Sequence, residues 1–377
     1  MRGQGHHSHK ERFFTCKTAK PSTKIDLPSF PYNRIMNIIS RHNWLLILQG
    51  WSILWVVIGN TYLGQPGNEA EWESTLLRTA YTFHFPLLMF TFGCIFCKKF
   101  LLGEDGKNTV ETKEDILGLI IPFLLFTIIA VIAKAALARE PYNLGALISG
   151  LIRGLIYPGL RPASAMWFIL VLICYYFLLP VWKATFRKSW LMWIAAAVLL
   201  MAHFITIPIE LLCIKWIFYF AVYFYSGMMV MKKGWLNHLS GLTGFYIFIV
   251  GYLIYFMGFD TDRPIAEIGG IIFSIGVVLL LNNTFPKAFS TFRDYYFQIF
   301  LIGYFVQVIF CLLFDRLSIP HILGYLICLA MGIYIPVFMT RIIQSKNLSP
   351  LDYCIGLSMT IDQPTVGYDQ NKLAVEL

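Results

Sequence analysis

Two side chains in the first two membrane-length apolar runs are of the kind that does chemistry. Asn60 closes the run Trp55-Val-Val-Ile-Gly-Asn60-Thr61, and His84 stands at the start of the next, in Thr82-Phe-His84-Phe-Pro86. A neutral imidazole takes a proton from a hydroxyl near neutral pH, while a carboxamide orients a hydroxyl or donates to a developing oxyanion. Arg161, His203 and Glu210 sit at the edges of later apolar runs. Two imidazoles, a guanidinium and a carboxylate at one depth would make an acid–base site with an anion clamp. Polar groups in membrane segments as a rule face a bundle interior or a cavity and are functional candidates by default. Each also has a plainer reading. An intramembrane histidine can cap a helix or bond across to a neighbour, and for His203 that reading outweighs the functional one. Glu210 and Arg161 can sit in headgroup water.

At the opposite end of the first run stands Arg41-His-Asn-Trp44. An arginine there anchors the span by snorkelling, or grips a phosphate through charge-assisted hydrogen bonds. The sequence supports both.

Positioning these groups requires a membrane bundle. Of the 377 residues 57% are hydrophobic and only 14% charged, against about a quarter charged in a soluble domain. Ten apolar segments of spanning length follow one another, at about 44–63, 78–97, 116–137, 166–184, 190–208, 212–231, 237–257, 266–282, 296–314 and 320–341, an all-α polytopic architecture. With the N-terminus inside, 22 of the 30 basic residues fall in inner segments, so the positive-inside rule places both termini in the cytoplasm. Asn60, His84, Arg161 and His203 then all lie toward the outer face. The net charge of +9 belongs to loops and orients the chain; no basic stripe interleaved with stacking aromatics points to nucleic acid. Residues 1–40 read as a basic, disordered tail, 41–345 as the membrane domain and 346–377 as a second cytoplasmic tail. Between the third and fourth spans, Leu144–Tyr157 is apolar, short and broken by glycines, an interfacial or re-entrant helix.

Other chemistries lack their residues. There is no P-loop, no Gly-x-Gly-x-x-Gly, no serine elbow and no His-Glu-x-x-His. Six of the eight cysteines lie in apolar runs, where they read as packing groups, including the Cys94-x-x-Cys97 pair. His6, His7 and His9 cluster on the N-terminal tail. No metal site and no bound cofactor is expected.

Three segments resemble the acyltransferase-3 family of integral membrane O-acyltransferases. Arg41-His-Asn-Trp-Leu-Leu-Ile-Leu-Gln-Gly50 with the apolar run to Gly59 resembles the family's opening Arg-x-x-x-Leu-Asp-x-x-Lys/Arg-Gly segment. Tyr81-Thr-Phe-His84-Phe-Pro86-Leu-Leu-Met-Phe-Thr-Phe-Gly93 is similar to its Phe-His-Met-Pro-Leu-Phe-Phe-x-x-Ser-Gly segment, and Ala165-Met-Trp167-Phe168 to the Leu-Trp-Phe-Leu start of a middle span. The chain departs from the pattern where the family ends its first span in Gly-His. Here that position is Asn60, and Phe92 stands for the serine before Gly93.

The resemblance implies transfer of an acyl group, most often acetyl, from acetyl-CoA or another cytosolic acyl-CoA to a hydroxyl of a cell-envelope saccharide or lipid-linked sugar, in the cytoplasmic membrane of a bacterium. It gives His84 and Asn60 catalytic roles, with His84 as base. His203 is the second candidate for the base. Arg41 and the Lys98-Lys99 pair would attract donor phosphates, and Arg161, Trp167 and His203 would bind substrate. The rival implication, resting on Asn60, is a non-catalytic relative that binds or transports a saccharide or lipid.

Overall fold

The computed structural model describes residues 43–61, 71–102, 108–138, 144–158, 166–205, 207–317, 320–346 and 349–357. Arg41, Arg161 and the N-terminal tail with its histidines lie outside these residues. The described chain is helical throughout: α1 Asn43–Asn60, α2 Glu71–Phe96 running on through a π turn Cys97–Leu101, α3 Asn108–Ala138, α4 Leu144–Ile156, α5 Trp167–Phe177, α6 Leu179–Thr185, α7 Ser189–His203, α8 Ile214–Lys233, α9 Gly241–Phe259, α10 Arg263–Thr284, α11 Tyr296–Leu317, α12 His321–Ser345 and α13 Ser349–Cys354.

Eight helices among the described residues are long and apolar enough to cross a membrane, and the bent pair α5–α6 makes a ninth. The 59° bend between α5 and α6 falls at Pro180, whose nitrogen has no hydrogen to continue the ladder. The segment expected to span at 190–208 is shorter than that. α7 has 15 residues, about 22 Å at 1.5 Å per residue, and Pro208 follows too closely for the helix to resume. α4 is 13 residues long. Its Leu144, Ile148 and Ile152 are exposed on one edge, as an interfacial helix would have them.

Apolar residues cover much of the outside, as a bilayer solvent requires. α9 is the extreme case, with Leu242, Tyr246, Leu253, Phe256 and Met257 all exposed. α2 is the opposite: from Phe83 to Cys97 only Phe85 is not buried. It is the axle of the bundle, packed on α1, α8 and α10. The α2–α8 crossing is close because Gly93 abuts the Phe224 carbonyl and Gly227 the Phe90 carbonyl, the small-residue contact that lets membrane helices touch backbone to backbone.

The helix ends sort into two faces. At one, Asn43 Nδ2 donates to Asn282 Oδ1 at 2.8 Å and Trp44 Nε1 to Asn237 Oδ1 at 2.9 Å, and Lys99 pairs with Asp115 at 2.7 Å. At the other, Arg78 pairs with Asp260 at 2.6 Å and His321 with the buried Glu73. The charge reading of the sequence assigns the first to the inner side and the second to the outer. Within the segment read as a C-terminal tail, Ile355 is buried, and Gln298 Nε2 donates to its carbonyl at 3.2 Å.

Candidate active site

His84 lies on α2, fully buried. Its Nδ1 is 2.6 Å from the Ala80 carbonyl oxygen one turn back. A carbonyl only accepts, so Nδ1 carries the proton and the Nε2 of the neutral ring bears a lone pair. That Nε2 is buried and has no hydrogen-bond partner among the described residues. It faces α1 at Gly59, where an added Cβ would sit 3.7 Å from Nε2 and from Cε1. Asn60, half-buried, is the next residue and the last of α1. Of the expected pair, His84 meets α1 at Gly59, and Asn60 follows that glycine at the end of the helix.

The end of α1 is held from two other helices. Gln307 Nε2, on α11, donates to the Val57 carbonyl at 2.9 Å and to Thr61 Oγ1 at 2.5 Å. Tyr325 on α12 donates its hydroxyl to the Ile58 carbonyl at 3.3 Å. These bonds add donors to carbonyls that also accept from Thr61 N–H, and they tie the last turn of α1 to α11 and α12.

Trp167 joins His84 through one aromatic step. The His84 and Phe85 rings are 4.1 Å apart and Phe85 meets Trp167 edge-on at 4.8 Å. Trp167 in turn stacks on Phe220 at 5.3 Å. His203, at the end of α7, is buried but stands apart, its ring 4.3 Å from Tyr219 and 5.4 Å from Tyr223 of α8. Glu210 is exposed.

Sequence reasoning passed over a second polar group. Glu267 of α10 is fully buried. It accepts from the Tyr219 and Tyr223 hydroxyls, both at 2.5 Å, and from Arg263 Nε at 3.0 Å. In sequence it is one acid just inside an apolar helix, where a headgroup position is the ordinary reading. The usable signal was the Tyr219/Tyr223 spacing, which places two phenols on one helix face. Phe83, next to His84 in the chain, fills the space over Gly270 of α10. Glu267 thus lies one turn of α10 from Gly270, where Phe83 packs. Among the described residues no three metal-ligating side chains converge.

The family profile described as an acyltransferase domain matches residues 42–346. The chain belongs to the acyltransferase-3 family. The match takes in all the helices from α1 to α12 and both polar groups. No curated protein and no solved structure matches the chain. Around His84 the described geometry contains a buried imidazole with an unpartnered Nε2, the end of α1 against it at Gly59 and an aromatic wall. At the opposite face, Lys99 Nζ donates to Asp115 Oδ1 at 2.7 Å.

Proposed function

We propose that this membrane acyltransferase moves an acyl group from a cytosolic acyl-CoA, acetyl-CoA foremost, to a hydroxyl of a saccharide or lipid-linked sugar, with His84 Nε2 as the base. One observation carries the reading: His84 is held by Ala80 in the tautomer that leaves Nε2 basic, buried and unpartnered beside Gly59 and Asn60. The acceptor hydroxyl would donate to Nε2, lose its proton as its oxygen attacks the thioester carbonyl, and the departing thiolate would take that proton. Asn60 orients the hydroxyl or donates to the oxyanion. The Phe85–Trp167–Phe220 wall would shape the acceptor side, and Arg161, outside the described residues, would bind the acceptor.

The donor's charged end belongs at the inner face, near Arg41 and Lys98. From Lys98 to His84 is fourteen residues of helix, about 21 Å, so the thioester arm must run up the bundle. Buried Gln49, Ser52 and Thr91 stand on α1 and α2 along that length, where polar side chains mark a substrate path.

The test is transfer by purified protein from labelled acetyl-CoA into envelope glycolipid extract. His84→Ala should lower it by about 10²–10⁴-fold, the usual worth of a general base, while the protein still folds. Undiminished transfer in that variant removes His84 from the chemistry. No transfer by the wild type under any donor favours the rival reading, a binding protein on the same scaffold.

A further inference from the structure

The Glu267 cluster is not needed for proton transfer at His84, yet it is built with care. Tyr219 and Tyr223 stand one turn apart on α8 and both commit their hydroxyl protons to one carboxylate. Arg263 supplies the third donor and balances the charge. The His203 ring lies against both phenols, and its Nδ1 is 2.9 Å from the Tyr219 carbonyl oxygen. As at His84, the carbonyl fixes the proton on Nδ1 and leaves a lone pair on Nε2. That Nε2 is buried without a partner among the described residues. The two phenols cannot supply one, because their protons are already given to Glu267.

A buried acceptor in this state calls for a hydrogen-bond donor from beyond the described residues, and a ligand can supply it. A cation is disfavoured as the source. The cluster is already neutral, Arg263 is 62% exposed beside it, and Lys215 lies over Trp216 on the same helix as the tyrosines. A neutral hydroxyl fits. His203 ends α7, and Phe204 and Ile205 beyond it are exposed at the outer face, so an amphiphile lying at that level reaches the ring headgroup-first.

We propose that His203 Nε2 is the recognition point of a hydroxyl-binding subsite for a polyhydroxy headgroup, with Glu267 locking the tyrosines that hold the imidazole. The subsite rests on the acyl-transfer reading only for what becomes of the ligand; His84 would act on one hydroxyl while His203 holds another.

The test uses the full chain in nanodiscs without donor. The probe is octyl glucoside below its micelle concentration. The comparator is an octyl chain carrying a methyl-capped oligo(ethylene glycol), which offers acceptors and no donor. Carbethoxylation of His203 by diethyl pyrocarbonate, followed by mass spectrometry, should slow with octyl glucoside and not with the comparator. His203→Asn keeps a donor for the Tyr219 carbonyl and removes the acceptor at Nε2. It should weaken octyl glucoside binding, read by tryptophan fluorescence, by about three- to tenfold, the worth of one neutral hydrogen bond, with the unfolding temperature unchanged. His203→Gln, whose amide oxygen reaches the Nε2 position, should restore most of it. Equal protection by both amphiphiles, or unaltered affinity in His203→Asn, overturns the proposal. Because no acyl-CoA is present, this outcome is independent of the His84→Ala transfer assay.

Discussion

Gly59 of α1 and His84 of α2 face each other with nothing between them but the space a side chain would take: a Cβ on Gly59 would stand 3.7 Å from the His84 Nε2. That separation is ordinary van der Waals contact, so Gly59→Ala fits the bundle. Its methyl group nevertheless takes part of the volume in which a hydroxyl must approach the lone pair. We expect Gly59→Ala to fold with a thermal midpoint near the wild type and to transfer acyl groups about tenfold more slowly, because a misplaced reactant loses much of its proximity advantage. Gly59→Leu should abolish transfer. Wild-type rates in Gly59→Leu would mean that the acceptor does not meet His84 from this side.

Asn60 occupies the position at which relatives of this family end the first span in histidine. An amide cannot take a proton, so on the proposed reading this chain keeps one imidazole where the family pattern has two. Asn60→His should raise the transfer rate, by about tenfold or more if the second imidazole shares proton transfer, and should leave a measurable rate in the double variant Asn60→His/His84→Ala. A double variant as inactive as His84→Ala would show that position 60 only orients.

The architecture was legible because bilayer physics is written along the chain: long apolar runs and loop charge need no tertiary information. His84 and Asn60 were legible for the same reason, as polar groups inside those runs. Glu267 was not. The phenols that satisfy it lie 48 and 44 residues away, and nothing local distinguishes it from an acid in headgroup water. His203 was read as more plausibly structural. Its Nδ1 bond to the Tyr219 carbonyl is structural, and only the unpartnered Nε2 shows the other half. The short α7 also escaped the sequence, since Phe204 and Ile205 prolong the apolar run past the point where the helix stops.

Glu267 separates charge from hydrogen bonding in a direct way. Glu267→Gln keeps the shape and one carbonyl acceptor, so one phenol stays satisfied. Glu267→Leu strands both hydroxyls, each costing about 1–3 kcal/mol when buried and unmet. The Arg263 charge adds less, because its side chain is largely exposed and screened. Thermal unfolding in detergent should therefore rank wild type above Glu267→Gln and Glu267→Gln well above Glu267→Leu. Equal midpoints for the two variants would show that the tyrosines find other acceptors.

The α2–α8 crossing sets how close His84 comes to the aromatic wall, and two glycines set the crossing. A Cβ on Gly93 would run into the Phe224 carbonyl, and one on Gly227 into the Phe90 carbonyl and, at 3.0 Å, the Cys94 nitrogen. Backbone atoms cannot step aside as a flexible side chain would. Cys94 Sγ also donates to the Gly227 carbonyl at 3.3 Å, so separating the helices breaks that contact as well. Gly227→Ala should destabilise the protein by about 1–3 kcal/mol, the usual cost of overpacking. It should also lower transfer disproportionately, since α8 carries Phe220, Tyr219 and Tyr223. Gly150→Ala, where a Cβ meets only Val131 Cγ1 at 3.2 Å, is the control and should cost far less. A Gly227→Ala protein as stable as the Gly150→Ala control would mean that the two backbones have room to part, and that the crossing is not what holds the wall against His84.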